Sequence, residues 1–384
     1  MENIFEQIEV KEEEMIKELE QLVNIDSGSY TKEGIDQIIS RYEQIYTGLG
    51  FETEIKVNQD QGNNLVAKRQ GELEGSWLFL GHADTVFPEG TVEKRPFKLD
   101  READRAYGPG VCDMKSGLVV LRTVLGTLIS LDTDLPDLVV LINGDEEIGS
   151  PTSRELIEDA GREATACFVL EPGRENGDMV TARKGVGIYE LIVSGRAAHA
   201  GTDHQDGISA VEELAHKIMD VHQLTDYARG ITLNVGVIAG GERPNIVADS
   251  ARAEIDLRIA ELGQVDEIEE QLREIAANEY LSGAKTQLKG GLNRPPMEKS
   301  QDSEQIFQVF KEIGREIGLE IGESATGGAS DGNFVSGLGV PTLDSLGAVG
   351  GKVHNDQEYI ELSSLVGRAK TLAGGLAKLA LELE

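Results

Sequence analysis

Cysteine occurs only twice in the 384 residues, at Cys112 and Cys167. At most one disulfide is available, which excludes a disulfide-stapled secreted scaffold. No apolar run approaches the roughly 18 residues of a membrane span. The opening Met-Glu-Asn-Ile-Phe-Glu-Gln also lacks the positive region and the apolar stretch of a secretory signal, so a cytoplasmic location is expected. Positive charge is scarce as well. With 36 Lys plus Arg against 69 Asp plus Glu, the formal charge is −33, which argues against nucleic acid or an anionic membrane as a partner. A dinucleotide fingerprint is missing too, because Lys184-Gly-Val-Gly187 and Gly108-Pro-Gly110 are isolated GxG triplets that do not continue to GxxG.

What is present is ordinary for a soluble enzyme: 39% hydrophobic and 27% charged residues, in a chain long enough for two or three domains. Much of the acid falls in amphipathic runs at 12–20 and 266–279, which read as solvated helix faces.

Periodicity predicts an acidic helix over about 3–25, broken near Ser27-Gly28, and a second over 32–49. Strands are predicted at 52–57 and 64–69, followed by unalternated apolar strands at 77–80, 137–142 and 166–170, with helices at 114–129 and 153–160 between them. Strands without polar alternation are covered on both faces, so this part is α/β with a mostly parallel central sheet. After a Gly-rich stretch at 172–178 the pattern changes. Strands at 185–194, 232–238, 250–258 and 284–288 and helices at 208–224 and 265–280 follow the strand-helix-strand-strand-helix-strand order of a ferredoxin-like α+β domain. Gly290-Gly-Leu-Asn-Arg-Pro-Pro296 reads as a turn-rich exit, after which helices at 303–318 and 363–381 and a strand near 341–345 resume the first pattern. The expected organisation is a catalytic domain in two parts, 1–181 and 292–384, with an insertion at 182–291.

Three apolar strands end in groups suited to one cation site: His82 with Asp84, Glu146 with Glu147, and Glu171. Ligands of parallel sheets collect at the carboxyl ends of strands. Tyr107-Gly-Pro-Gly110-Val-Cys-Asp113 adds an aspartate in a Gly-rich loop, and Gly351-Lys-Val-His354-Asn-Asp-Gln-Glu358 adds a late histidine. Imidazole and carboxylate are the ligand types that hold Zn²⁺, and a metal pair needs a bridging carboxylate. Each piece alone occurs often, so the ordered set carries the weight.

That ordered set resembles the M20 metallopeptidase family, which includes glutamate carboxypeptidases, acetylornithine deacetylase, succinyl-diaminopimelate desuccinylase, aminoacylase-1 and peptidase T. The likeness runs over nearly the whole chain and is nearest to the glutamate carboxypeptidase branch. It implies a zinc-exopeptidase-like catalytic domain with an inserted lid or dimerisation domain. It also implies two divalent metals per chain, Zn²⁺ first with Co²⁺ or Mn²⁺ as alternatives. The implied ligands are His82, Asp113 as the bridge, Glu147, Glu171 and His354. Glu146 is the implied general base, and Asp84 the residue that orients His82.

The same resemblance assigns His199, in Ser194-Gly-Arg-Ala-Ala-His199-Ala-Gly201, to the oxyanion, supplied in several members across a dimer. Asn245 and Arg294 are implied to contact the substrate, Arg294 through its α-carboxylate. The loop Gly327-Gly328-Ala-Ser-Asp331 is implied to line the substrate site, and Arg258 stands between a substrate role and a structural ion pair. The expected activity is carboxypeptidase-like cleavage of a peptide or amide bond beside a free carboxylate. Deacylation of an N-acyl amino acid is the alternative. The expected partners are that small substrate and a second copy of the chain.

Overall fold

Unalternated apolar strands fold where both faces can be covered, and the computed structural model, which describes residues 1–383, shows this at the centre of the chain. Strand Ser76–His82 lies between Asp137–Asn143 and Ala166–Val169, parallel to both, and its residues beyond Ser76 are buried. Thr342–Leu343 extends the sheet in parallel on one side. Asn64–Arg69 and then Glu52–Lys56 extend it antiparallel on the other, giving a six-stranded mixed sheet. Successive side chains of Ser76–His82 enter different cores. Trp77 and Phe79 join the cluster that includes Leu118, Leu121 and Leu376, whereas Leu78 and Leu80 join Ile157, Phe334 and Val335. Register pairs His82 with Asn143 and Leu80 with Val169, so three strand ends open at one edge. Both cysteines are free and buried.

Helix Ser116–Ser130 packs behind that edge and against the terminal helix Leu362–Leu381. Gly117 makes the approach possible, because a Cβ there would stand 2.0 Å from the carbonyl oxygen of Leu170, the residue before Glu171.

The N-terminal helix departs from expectation. In place of one helix over 3–25, the chain forms Glu2–Glu9 and Glu12–Val23. No Gly or Pro marks the break. The two halves have different partners: Glu2–Glu9 packs mainly on Leu362–Leu381, and Glu12–Val23 on Ser116–Ser130. Lys11 at the break reaches Thr127 Oγ1 at 2.8 Å. The stretch 83–110, expected as a loop, contains strands Lys98–Asp100 and Arg105–Tyr107. They join Tyr359–Glu361 and Gly350–Gly351 in a small antiparallel sheet.

The chain divides into two compact units. The first is Met1–Ala182 with Lys299–Thr326 and Ser330–Glu384, and the second is Arg183–Glu298 with Gly327–Ala329. In the second, strands Gly185–Ser194, Thr232–Gly240, Ser250–Ile259 and Lys285–Arg294 form an antiparallel sheet. Thr232–Gly240 is at one edge and Lys285–Arg294 at the other. Helices Ala210–Gln223 and Val265–Ala277 cover one face, where Leu214, Leu272, Leu191 and Ile255 meet. This is the ferredoxin-like order. The predicted exit at Gly290 is instead the second half of the last strand. Gly290 has φ +98° and a Cβ there would sit 2.0 Å from the Ile188 carbonyl oxygen, so only glycine fits, and the ladder continues to Arg294.

Candidate metal centre

The strand ends place His82 so that its Nε2 lies 3.2 Å from Asp113 Oδ1 and 3.6 Å from Glu171 Oε1. His354 Nε2 lies 3.2 Å from Asp113 Oδ2 and 3.3 Å from Glu147 Oε2. Asp113 thus turns one oxygen to each imidazole. Two overlapping donor sets result, His82 with Asp113 and Glu171, and Asp113 with Glu147 and His354; within each, one atom per residue lies within 4.8 Å of the others. The residues fit a pair of divalent cations. Donors are imidazole and carboxylate, one carboxylate is shared, and Glu147 Oε1 is buried with no hydrogen-bond partner among the described residues. His82 is buried, whereas the His354 side chain is 52% exposed, which leaves that half of the centre reachable from solvent.

The imidazoles and carboxylates of the cluster shift one another's pKa values. Burial opposes charging of His82, but hydrogen bonds to Asp113, Asp84 and Glu171 outweigh it and hold its pKa well above the usual imidazole range. Asp113 is also penalised by burial, yet its hydrogen bonds to His354 and His82 keep its carboxyl below the ordinary range. Burial raises Glu147. Hydrogen bonds to Asp113 and Glu147 push His354 from 6.5 up to about 10. A raised imidazole stabilises the fold fully below its unfolded pKa, and that contribution is lost as pH rises through its folded pKa. The metal-free protein is therefore expected to lose thermal stability between pH 6.5 and about 10. Bound Zn²⁺ should reduce the loss, because the cation replaces the protons. Melting curves across that window with and without Zn²⁺ check this; parallel curves would count against a shared site.

Asp84 does more than the sequence suggests. His82 Nδ1 is 3.0 Å from the backbone carbonyl of Asp84 and 3.4 Å from its carboxylate. The buried carboxylate itself accepts the backbone N–H groups of Glu146 at 3.1 Å and Glu147 at 3.2 Å, and the Ser29 hydroxyl at 2.7 Å. It orients the double-glutamate turn together with the histidine. Ser29 is held in turn, since Ser27-Gly28-Ser29 pairs by backbone with Thr85. Beneath the same turn, Asn143 donates to Asp331 at 2.6 Å and to Ser153 at 2.8 Å, and Asp145 accepts from Thr152 and Ser153. The aspartate of the Gly327–Asp331 segment is thus a buried support for the Glu146 loop.

Glu358, four residues after His354, is fully buried beside Asp113. Its carboxylate accepts the N–H groups of Cys112 at 2.8 Å, Asp113 at 3.0 Å and Gly110 at 3.2 Å. One residue thereby ties the loop carrying His354 to the loop carrying Asp113. The only signal in the sequence is an acid four residues after that histidine. Burial raises Glu358 to about 7. Glu358→Gln keeps the size but replaces one acceptor oxygen by a donor, so a buried N–H loses its partner. A cost of about 1–3 kcal/mol in stability and about 10–100-fold weaker metal affinity is expected, measured by denaturant unfolding and metal titration.

The remaining predicted residues lie in the second unit. His199 Nδ1 accepts the N–H groups of Gly201 and Thr202, each at 3.1 Å. The neutral ring therefore carries its hydrogen on Nε2, and the residue is exposed. Asn245 is on the adjacent segment: its carbonyl accepts from Ala200 N at 3.0 Å, and its side chain is exposed. Arg258 forks onto Asp256 with two contacts of 2.8 Å. The Gly328 carbonyl accepts from Arg183 Nη1 at 3.2 Å. Arg294 is buried at the end of its strand.

Residues 78–378 match the model of peptidase family M20/M25/M40. The chain belongs to this family. It is 29% identical over 360 residues to carboxypeptidase G2 of Pseudomonas sp. (strain RS-16), covering 91% of this chain and 86% of that one. It is 29% identical over 238 residues to acetylornithine deacetylase of Vibrio cholerae, covering 59% of this chain and 62% of that one. In fold it is similar to an M20 family metallo-carboxypeptidase from Sulfolobus solfataricus, with a TM-score of 0.75 at 19% identity, over 96% of this chain and 99% of that one. The protein is thus an M20-type hydrolase of the peptidase and amidohydrolase class, a metal-dependent family. No helix among its described residues is long and apolar enough to cross a membrane.

Proposed function

We propose that this M20 protein is a carboxypeptidase-like exopeptidase that hydrolyses a peptide or amide bond next to a free carboxylate. His82, Asp113 and Glu171 would hold one divalent cation, and Asp113, Glu147 and His354 the second, with Zn²⁺ the first choice. The observation that carries this reading is Asp113, with Oδ1 and Oδ2 each 3.2 Å from a different histidine. When bound, the cations supply Lewis-acid polarisation of the scissile carbonyl and a more acidic attacking water.

The chain's own residues do the rest. Glu146, whose backbone is fixed by Asp84, takes the water's proton and returns it to the leaving amine. His199 donates its Nε2–H to the developing oxyanion, with the ring locked by the two N–H groups on Nδ1. Arg294 binds the substrate's α-carboxylate, an assignment suited to a guanidinium fork in an acidic protein, and Asn245 hydrogen-bonds a substrate carboxylate or carbonyl. Gly328 lines the substrate position through its backbone. Arg258, already paired with Asp256, keeps that loop in place through a 3.5 Å contact to the Gly327 carbonyl. The second unit also serves as the homodimer contact. Likeness to acetylornithine deacetylase supports the second reading, an N-acyl-amino-acid deacylase acting through the same centre.

A mass-spectrometric panel of dipeptides, γ-glutamyl peptides and N-acyl amino acids, run with Zn²⁺, Co²⁺ and Mn²⁺, decides between the two. Release of a carboxyl-terminal residue supports the exopeptidase. Turnover confined to acyl amino acids favours the deacylase, and failure to bind any divalent metal sinks both.

A further inference from the structure

Cations are scarce in this chain, yet five of them, Lys94, Arg95, Lys98, Arg105 and Lys352, line one cavity of about 740 Å³ in the first unit. Asp356 is the acid in the same lining, and none of the five cations forms an ion pair with a described carboxylate. Asp356 in the lining and Glu361, which acts electrostatically on Arg105, offset only part of the five positive charges, and the excess favours an anionic occupant.

Two of the cations are prepared for carboxylates. The Arg105 guanidinium lies over the Tyr359 ring, 3.9 Å from its centroid. Stacking holds the group while leaving in-plane N–H donors for a fork-like contact. Arg95 donates from Nη1 to the Asn355 carbonyl at 3.1 Å and lies over Phe87 at 4.4 Å. Its Nε and Nη2 are buried and find no acceptor among the described residues. Lys98 Nζ stands 5.7 Å from the Tyr107 ring.

We propose that this cavity is a subsite for a carboxylate-rich peptide. Lys352 and Asp356 flank His354 two residues to either side, and Tyr107 opens the loop that carries Asp113, so a peptide held there lies beside the metal centre. Its identity as the acyl portion of the substrate rests on the hydrolase reading above. Glutamyl or aspartyl residues on that side of the scissile bond would be preferred over neutral ones. A free polycarboxylate shares this chemistry, and the test separates the two.

Tri-glutamate, tri-alanine and citrate are titrated by calorimetry into the full-length, Zn²⁺-loaded Glu146→Ala protein, where turnover does not consume the ligand. The titrations are repeated with Lys94→Gln and Lys98→Gln together, and with Arg105→Gln. Tri-glutamate is expected to bind about tenfold or more tightly than tri-alanine, to weaken about tenfold in each altered protein, and to weaken with added salt. Lys94 and Lys98 are exposed, so the lysine pair keeps the test decisive even if Arg105→Gln fails to fold. Equal affinity for the two peptides, or unchanged tri-glutamate affinity in the lysine variant, overturns the subsite. Citrate binding that is tighter than that of tri-glutamate and is weakened in the lysine variant, and so is not chelation of Zn²⁺, overturns the assignment to a peptide. With Glu146 intact, the ratio of kcat/KM for acidic over neutral acyl groups should fall in the same variants. Absence of hydrolysis of every amide, with tri-glutamate binding retained, counts against the hydrolase reading and leaves the subsite standing.

Discussion

Glu146→Ala is expected to lower kcat about 10³-fold or more while the protein keeps its metal and its melting temperature. Glu146 is in neither of the donor sets that could hold a cation. The backbone N–H by which it is gripped belongs to the main chain, so alanine retains the bond to Asp84. The carboxylate proposed as the proton acceptor is removed. Metal content by atomic absorption and turnover on the best substrate of the panel separate the two effects. Residual activity above one-tenth of wild type would assign the base elsewhere, and loss of metal would make Glu146 a ligand.

Asp113→Asn should behave differently, because it strikes both halves of the centre at once. The amide keeps the shape but removes the negative charge that faces His82 through one oxygen and His354 through the other. A neutral amide that turns its nitrogen to one cation site cannot serve both. Metal titration is expected to show affinity reduced by about 10²-fold or more and the paired stoichiometry lost, with kcat falling by about 10³-fold or more. Full stoichiometry in this variant would remove Asp113 as the bridge. The two substitutions therefore make a contrast: one abolishes turnover with the metals in place, the other abolishes the metal pair itself.

Much of this arrangement is legible along the chain, because a buried parallel strand announces itself. His82, Glu146 with Glu147, and Glu171 each follow an apolar run, and parallel pairing of those runs brings their carboxyl ends to one edge. The ferredoxin-like order in 185–288 is equally clear from alternation and helical spacing. Other features left no local trace. The break at Val10–Lys11 has no Gly or Pro and arises because each half of the segment meets a different helix. The Gly290 strand resembles a turn, since the glycine is required by the close approach of the neighbouring backbone. Glu358 carries no signature of its own, because its role lies in accepting backbone N–H groups of a loop distant in sequence.

The residue types at the strand ends, and the order in which they occur, were determined by sequence alone, and with them the class of chemistry and the family. The meeting of Asp113 with His354, 241 residues apart, was decided by tertiary structure. It depends on the pairing of Arg105–Tyr107 with Tyr359–Glu361, strands of three residues each, too short to carry a hydrophobic period. The same pairing draws Arg105 onto Tyr359 and gathers the basic cavity beside His354. Local sequence could not show this, because the stabilisation comes from contacts formed only once both loops have folded back together.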